Sequence, residues 1–385
     1  MTAYPERIGD RLTSSLTGET YHAYLPKPLP PSPPIEMDRL YPLLDQANLA
    51  LGRLDGLSRI LPDPSLFLYM YIRKEAVLSS QIEGTQSSLS DLLLFENEDS
   101  PGIPNHDVVE VSNYVAAMNH GLKRIKENFP LSLRLICEMH ETLLSKGRGS
   151  QKQPGEFRRS QNWIGGTRPG NARFVPPPPD RLMEQLDRLE KFLHDETITL
   201  PTLIKAALVH HQFETIHPFL DGNGRLGRLL ITFILCVEGS LRSPMLYLSL
   251  YFKKNRQTYY DLLQSVRETG DWEAWLQFFL EGVIETANQA VDTAQNILKL
   301  FVEDEKKIAT FRKASGSMIV VHHFLQRHPI IDAKKITEQC DLSLPTTNKV
   351  LKHLMEIGII TEITGKVRNK IYTYQTYLDI LNREA

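Results

Sequence analysis

Most of the chemistry this chain can do is concentrated in His217-Pro218-Phe219-Leu220-Asp221-Gly222-Asn223-Gly224-Arg225-Leu226-Gly227-Arg228. His217 is the one obvious proton acceptor working near neutral pH, and Asp221 offers hard oxygen to a cation such as Mg2+. Gly222 and Gly224 let the backbone turn sharply and approach a ligand closely. Downstream, Leu226, Leu229, Leu230, Phe233 and Ile234 recur at helical spacing. A buried helix is therefore predicted to begin near Gly224, with Asn223 as its N-cap. Upstream, Leu203, Ala206, Ala207, His210 and Phe213 form a second apolar stripe that stops short of His217. A tight loop between two core helices points free N–H groups and the positive end of a helix dipole at one spot, which suits a phosphate. Arg225 and Arg228 fall in the first turn or so, roughly on one face, where cations oppose the dipole unless an anion is present. Taken singly, a Gly-Asn-Gly is often only a turn and a histidine is usually structural. A base, a metal carboxylate, an anion nest and two arginines so close together describe transfer from a nucleotide.

The stretch resembles the signature of the Fic family, His-Pro-Phe-x-x-Gly-Asn-Gly-Arg-x-x-Arg, and every fixed position is filled. The resemblance implies an AMP transferase that moves the adenylyl group of ATP onto a hydroxyl of a target protein. His217 would take the proton from the incoming Ser, Thr or Tyr, and Asp221 would hold Mg2+. The turn from Gly222 through Leu226 and Gly227 would cradle the phosphates, and Arg225 and Arg228 would bind the β and γ phosphates.

The elements that must position this loop come earlier in the chain. A helix with Asp63 as cap and Pro64 in its first turn runs through Leu66, Met70, Val77 and Leu78 to Glu83, where Gly84 stops it. Glu83 is thus a carboxylate at the negative end of a helix, a locally unfavourable place. Ser79-x-x-x-Glu83-Gly84 is similar to the inhibitory motif of Fic proteins, and its place ahead of the core matches the subclass with an N-terminal inhibitory helix. The stretch from Pro154 to Pro179 reads as a short β-hairpin; the resemblance makes it the flap that aligns the target by strand addition. Ile164, Gly165, Gly166 and Thr167 would lie nearest nucleotide and target. Tyr259 and Tyr260 resemble residues beside the adenine; adjacent helical positions cannot share one pocket, so one is given a ligand role and the other a core role.

Elsewhere the chain sets bounds. Its 385 residues suit two or three domains, and 41% hydrophobic with 23% charged residues is ordinary for a soluble globular protein. A net charge of −2 gives no global reason to expect nucleic acid or membrane. Cys137, Cys236 and Cys340 are widely separated and read as reduced core residues. No run is long enough to span a bilayer and no apolar signal-peptide core is visible, so a cytoplasmic location is expected. His140, His210 and His211 read as core residues; the last two point about 100° apart on a helix and make no metal cluster with His217.

In order, residues 1–35 read as an extended Pro-rich arm with no core of its own, followed by a helix over 38–51. Residues 85–106 read as loop-rich, and a long helix over 272–310 is expected to link domains. Residues 316–385 read as a separate unit: helices over 317–327, 333–340 and 345–357, then two β-prone runs, 359–364 and 370–374. That order suggests a winged helix-turn-helix, whose Lys349, Lys352, Lys366, Arg368 and Lys370 would meet DNA phosphates. With 9 basic against 7 acidic residues from Arg327 to Glu384, protein docking or a homodimer is an equal reading.

The expected architecture is mainly α: an N-terminal region with the inhibitory helix (1–100), a Fic-fold helical core with a β-hairpin flap (101–300, its linking helix reaching about 313) and the winged helix-turn-helix (316–385). The expected function is a protein adenylyltransferase using ATP and Mg2+, acting on a target protein or on itself and restrained by Glu83. The alternatives are a DNA-binding regulator whose Fic core only senses nucleotide, or Fic chemistry run in reverse or with another donor.

Overall fold

The computed structural model describes residues 4–16, 18–60, 64–96, 106–311 and 314–383. Two short strands, β1 (Asp10–Leu16) and β2 (Glu19–Leu25), precede helices α1 (Tyr41–Ile60), α2 (Pro64–Ile82), α3 (Leu89–Phe95), α4 (His106–Lys126) and α5 (Leu133–Leu143). There follow α6 (Pro179–His194), α7 (Thr202–Ile216), α8 (Asn223–Val237), α9 (Ser249–Lys254), α10 (Arg256–Thr269) and the long α11 (Trp272–Ala309). The chain ends with α12 (Ser315–Arg327), β3 (Ile330–Asp332), α13 (Ala333–Gln339), α14 (Leu344–Glu356), β4 (Thr361–Glu362), β5 (Ile371–Thr373) and α15 (Gln375–Asn382).

The centre of the molecule is α7, where every residue from Leu203 to Ile216 except Lys205 is buried. A helix enclosed on all sides lies inside the core, and α8, packed beside it, is nearly as enclosed. These two helices fix the ends of the 217–222 loop. On one side α4 and α5 support it, and α2 runs past α4 and α9 so that its C-terminal end reaches the loop. The Asp63 cap lies outside the described residues.

Several expectations are corrected. The Pro-rich arm is not without structure: β1 and β2 pair antiparallel, Asp10 opposite Leu25 through Leu16 opposite Glu19. Alternation in β2 turns Tyr21 and Ala23 inward against Val175 and Trp163. The arm is also pinned to α11, because buried Arg7 meets Glu273 at 2.7 Å and donates to the carbonyls of Pro33 and Pro34. Within 85–106, α3 is a helix and not a loop. Ser88 accepts from Asp91 N–H while the Asp91 carboxylate accepts from Ser88 N–H, a reciprocal cap that fixes the start of a short apolar helix. The flap is a single antiparallel bridge, Ile164 to Phe174, and not a hairpin of two strands. Asn171 Oδ1 accepts from both Thr167 N and Arg168 N at 3.0 Å, and Pro169 has no N–H, so these three positions of the tip offer no donor to a longer ladder.

At the C-terminal end, helices α12, α13 and α14 fall close to their expected spans. The two β-prone runs shorten to β4 and β5, and β3 joins them in an antiparallel sheet of order β3-β5-β4. Neither β3 nor α15 is legible in the sequence pattern. Residues 316–385 are not separate in packing: one buried apolar cluster runs from Leu40 to Leu381. Tyr374 O–H donates to the buried Asp304 carboxylate of α11 at 2.6 Å, and Tyr377 packs on Phe301. Helix α11 therefore forms a shared wall, packed on α1, α12 and α15.

Candidate active site

His217 ends α7 in the left-handed region, φ 50°, with its N–H bonded to Phe213 O at 2.9 Å. A non-glycine residue there costs about 1–2 kcal/mol, and a ring of polar contacts holds it. Arg158, almost fully buried, donates from Nε to His217 O at 2.9 Å, and Asn162 Nδ2 donates to His217 O and Phe219 O. His140 stacks on Phe219 at 3.7 Å between ring centres. Its Nδ1 accepts from Gly155 N, which leaves Nε2–H to donate to Asp221 O at 3.0 Å. Burial pushes His140 down to about 4, so it clamps the loop as a neutral, satisfied ring, in keeping with its reading as a core residue. His217 is also pushed down to about 4, by burial first and then by the Arg158 and Arg267 charges. At neutral pH it is unprotonated and able to accept a proton.

The loop enters α8 through Gly222, whose φ of 77° requires glycine. Asn223 is not the N-cap. It is the first helical residue, because the chain already turns into the helix at Gly222. Its amide instead closes the loop, accepting from Phe219 N at 2.9 Å and donating to Phe219 O at 2.8 Å. The first intrahelical donor is Leu226 N–H, to Gly222 O, so the N–H groups of Asn223, Gly224 and Arg225 lie outside the helix ladder. Leu226 is entirely buried and can offer only backbone, and Gly227 lies against the Glu214 carboxylate.

The two arginines are engaged by different helices. Arg228, 2% exposed, donates from Nε to Ser79 Oγ at 2.8 Å and from Nη2 to Ser79 O at 3.0 Å and Glu83 Oε1 at 2.8 Å. Burial alone would raise the Glu83 carboxyl, but the Arg228 charge and hydrogen bond hold it below its ordinary value. Its Oε1 lies so close over Gly224 that a Cβ there would overlap it. Glu83 thus sits in the mouth of the α8 nest itself. Arg225 turns to α4, with Nη1 3.3 Å from Glu110 Oε2 and Nη2 3.5 Å from Asp221 Oδ1. In this arrangement the two guanidinia point to different carboxylates, Arg228 to Glu83 and Arg225 to the buried Glu110 and the part-exposed Asp221.

Among the described residues no group of three His, Cys, Asp or Glu side chains converges on a metal geometry. Asp221 nevertheless fits a Mg2+ ligand. Its Oδ1 accepts from Gly222 N at 2.6 Å, its side chain is 29% exposed, and Mg2+ commonly takes one protein carboxylate together with substrate phosphates.

On the flap, Gly165, Gly166 and Thr167 form an exposed tip beyond the Ile164 bridge. Arg173 meets Asp261 at 2.6 Å and so ties the flap to α10. Tyr259 is withdrawn from the ligand set. It is fully buried, stacked on Phe252 at 4.6 Å, with its O–H shared with His210 Nε2. Tyr260 remains partly exposed beside Arg256, whose Nε donates to the last helical carbonyl of α2, that of Ile82, at 3.0 Å. His210 and His211 are buried core residues; His211 Nε2 lies 3.0 Å from Leu263 O.

Residues 41–123 match the Fic/DOC family N-terminal region and residues 130–235 match the Fic/DOC family. The second match takes in the whole loop from His217 to Arg228. It is 33% identical over 180 residues to the Caenorhabditis elegans protein adenylyltransferase fic-1, which covers 45% of this chain and 32% of that protein. It is 31% identical over 184 residues to protein adenylyltransferase Fic of Drosophila melanogaster, 48% of this chain and 34% of that protein. The chain thus matches about a third of the length of these curated relatives. In fold it is similar to a Fic family protein from Desulfovibrio desulfuricans G20, with a TM-score of 0.56, 22% identity, and 86% of this chain and 96% of that one covered.

Around the Fic loop the structure also assembles residues that sequence reading missed. Arg158 and Asn162 hold the His217 carbonyl, and Glu110 holds Arg225. Glu75 anchors α2 through Ser249 and Tyr114 and is raised to about 7 by burial. None carries a local signal; Glu75 and Glu110 lie on helices and Arg158 and Asn162 on an irregular loop, and only burial beside a distant partner gives each its work.

Proposed function

We propose that this Fic-domain chain is a protein adenylyltransferase, transferring AMP from ATP to a Ser, Thr or Tyr hydroxyl of a target protein or of itself. The observation that carries the reading is the placement of His217 at one end of the loop and the N-terminal nest of α8 at the other, a base and an anion site on the same loop. His217 accepts the hydroxyl proton, the oxygen bonds to the α phosphorus, the bond from that phosphorus to its bridging oxygen breaks, and diphosphate leaves with the electron pair. Backbone N–H groups at Gly224 and Arg225, with the α8 dipole, hold the phosphate charge. Arg228 serves the γ phosphate once it is free of Glu83. Mg2+, held through Asp221, would neutralise phosphate charge. The flap from Ile164 to Thr167 orients the target segment, and Tyr260 flanks the base. The names of the relatives from Caenorhabditis elegans and Drosophila melanogaster support the same activity.

Under this reading Glu83, with Ser79 and Gly84, makes the resting chain autoinhibited: it holds Arg228 and occupies the nest. The test is incubation of the protein and a cell lysate with ATP labelled at either the α or the γ phosphate. Label retained on protein from α alone supports adenylylation; label from γ alone means a kinase and overturns it.

A second reading concerns residues 316–385 as a winged helix-turn-helix domain after the Fic core (101–300) and the N-terminal region (1–100). It is favoured by one surface, where α14 exposes Asn348, Lys349 and Lys352 and the turn before β5 exposes Lys366, Val367, Arg368 and Asn369. A basic helix face beside a basic turn suits duplex DNA. A regulator that pairs DNA binding with the Fic core, in a cytoplasmic protein, is the alternative role.

A further inference from the structure

A positively charged side chain is expensive to bury alone, and Arg225 is 1% exposed in the first turn of α8, where the helix dipole also opposes a cation. The structure meets that cost from α4. Glu110, 2% exposed, places Oε2 3.3 Å from Arg225 Nη1 and 3.3 Å from Nη2 of the half-exposed Arg148. On its other side Arg225 reaches Asp221 only at 3.5 Å, while Asp221 Oδ1 is engaged by Gly222 N–H at 2.6 Å. Arg225 is therefore shared between two carboxylates, one interior and one at the site mouth.

We propose that Glu110 is a positioning residue for the metal carboxylate: by supplying the counter-charge of Arg225, it keeps Asp221 available to a divalent cation. This rests on the adenylyltransferase reading of the Fic loop. Arg225 and a divalent cation compete for one anion. With Glu110 charged, Arg225 has a buried carboxylate on α4 at 3.3 Å and shares Asp221 at 3.5 Å. Without that charge, an almost fully buried guanidinium is left with Asp221 as its nearest carboxylate. The contact then tightens and the oxygen that a cation would use becomes an ion-pair acceptor. Groups that orient metal ligands from behind typically change metal affinity 10–100-fold when replaced.

Arg148 makes the arrangement tighter. It shares the Glu110 Oε2 from the loop 145–150, and Gly149 of that loop lies against Asp221 Oδ2 closely enough that a Cβ would stand 3.0 Å away. Glu110 thus fixes both the cation behind Asp221 and the loop in front of it.

The test uses the full chain with Glu83→Gly, which leaves the nest open, and reads binding rather than turnover. Mn2+ is titrated in the presence of a non-hydrolysable ATP analogue and followed by electron paramagnetic resonance. Glu110→Gln keeps shape and hydrogen-bonding capacity but loses the charge, and is expected to weaken Mn2+ binding at least tenfold. Glu110→Asp, which keeps the charge, is expected to return most of the affinity and guards against a fold lost in the first variant. A purely structural role would shift the thermal midpoint of both variants and leave Mn2+ affinity alone. Equal Mn2+ affinity in folded Glu110→Gln and its parent overturns the proposal. A parent that binds the analogue but no Mn2+ at all overturns the reading of Asp221 on which it rests.

Discussion

Replacing Glu83 by glycine tests the inhibitory contact most directly, and the structure sets its size. Arg228 is held by Ser79 Oγ, Ser79 O and Glu83 Oε1, at 2.8, 3.0 and 2.8 Å. Only Glu83 brings a formal charge. A hydrogen bond to a charged group contributes about 1.5–3 kcal/mol net, and this is the quantity ATP must displace before its γ phosphate takes Arg228. At about 1.4 kcal/mol per factor of ten, the turnover of Glu83→Gly should rise roughly 10- to 150-fold. The gain appears in turnover more than in ATP affinity, because the nucleotide can occupy the site unproductively while Glu83 is present. The two Ser79 bonds remain, so Arg228 stays positioned and does not swing away. Arg228→Ala should not mimic the effect, since it removes the phosphate ligand together with the inhibitory contact. The assay is the initial rate of label transfer from α-labelled ATP, self-modification included, for the parent, each single variant and the double variant. A folded Glu83→Gly protein no faster than its parent refutes the argument and leaves Glu83 as a helix end.

Three further outcomes are expected. His217→Ala should abolish transfer yet leave ATP binding within about threefold, because a base acts on the hydroxyl and not on the nucleotide; calorimetric titration of an ATP analogue beside the transfer assay checks both halves. Stability should fall as pH drops from 6.5 to 5, readable as a falling thermal midpoint. His140, His217 and His322 are pushed by burial to about 4 and His210 to about 3, so below about 6.5 the unfolded chain binds protons that the fold refuses. Glu75 and Glu214, raised by burial to about 7, act oppositely but are fewer; a midpoint that holds or rises over this range contradicts the balance. Finally, if α14 and the turn before β5 meet DNA, reversing Lys366 and Arg368 to Glu should weaken binding and lower its salt slope by about two. A parent chain without salt-dependent DNA binding in a mobility-shift titration disposes of that role.

The sequence by itself determined the two core helices and the loop between them, because apolar spacing and the residues from His217 to Arg228 are local signals. It also determined that Glu83 ends a helix at Gly84, and that helices fill most of the chain up to Gln339 and Glu356. Where local signals were short or ambiguous it erred. Strand β2 is legible only once Val175 is known to cover Tyr21 and Ala23, and α3 depends on a reciprocal cap that reads like an ordinary Ser-rich loop. The tertiary structure alone decided the electrostatics. Ser79 and Glu83 stand about 145 residues before Arg228, and Glu110 stands 115 before Arg225. No periodicity relates such partners; they are joined because burying each guanidinium beside α7 and α8 leaves it needing a carboxylate from whichever helix packs there. The same dependence removed Tyr259 from the ligand set. Adjacent tyrosines are equivalent in sequence, and only the closure of Phe252 and Trp275 over one of them puts it in the core and leaves Tyr260 at the surface.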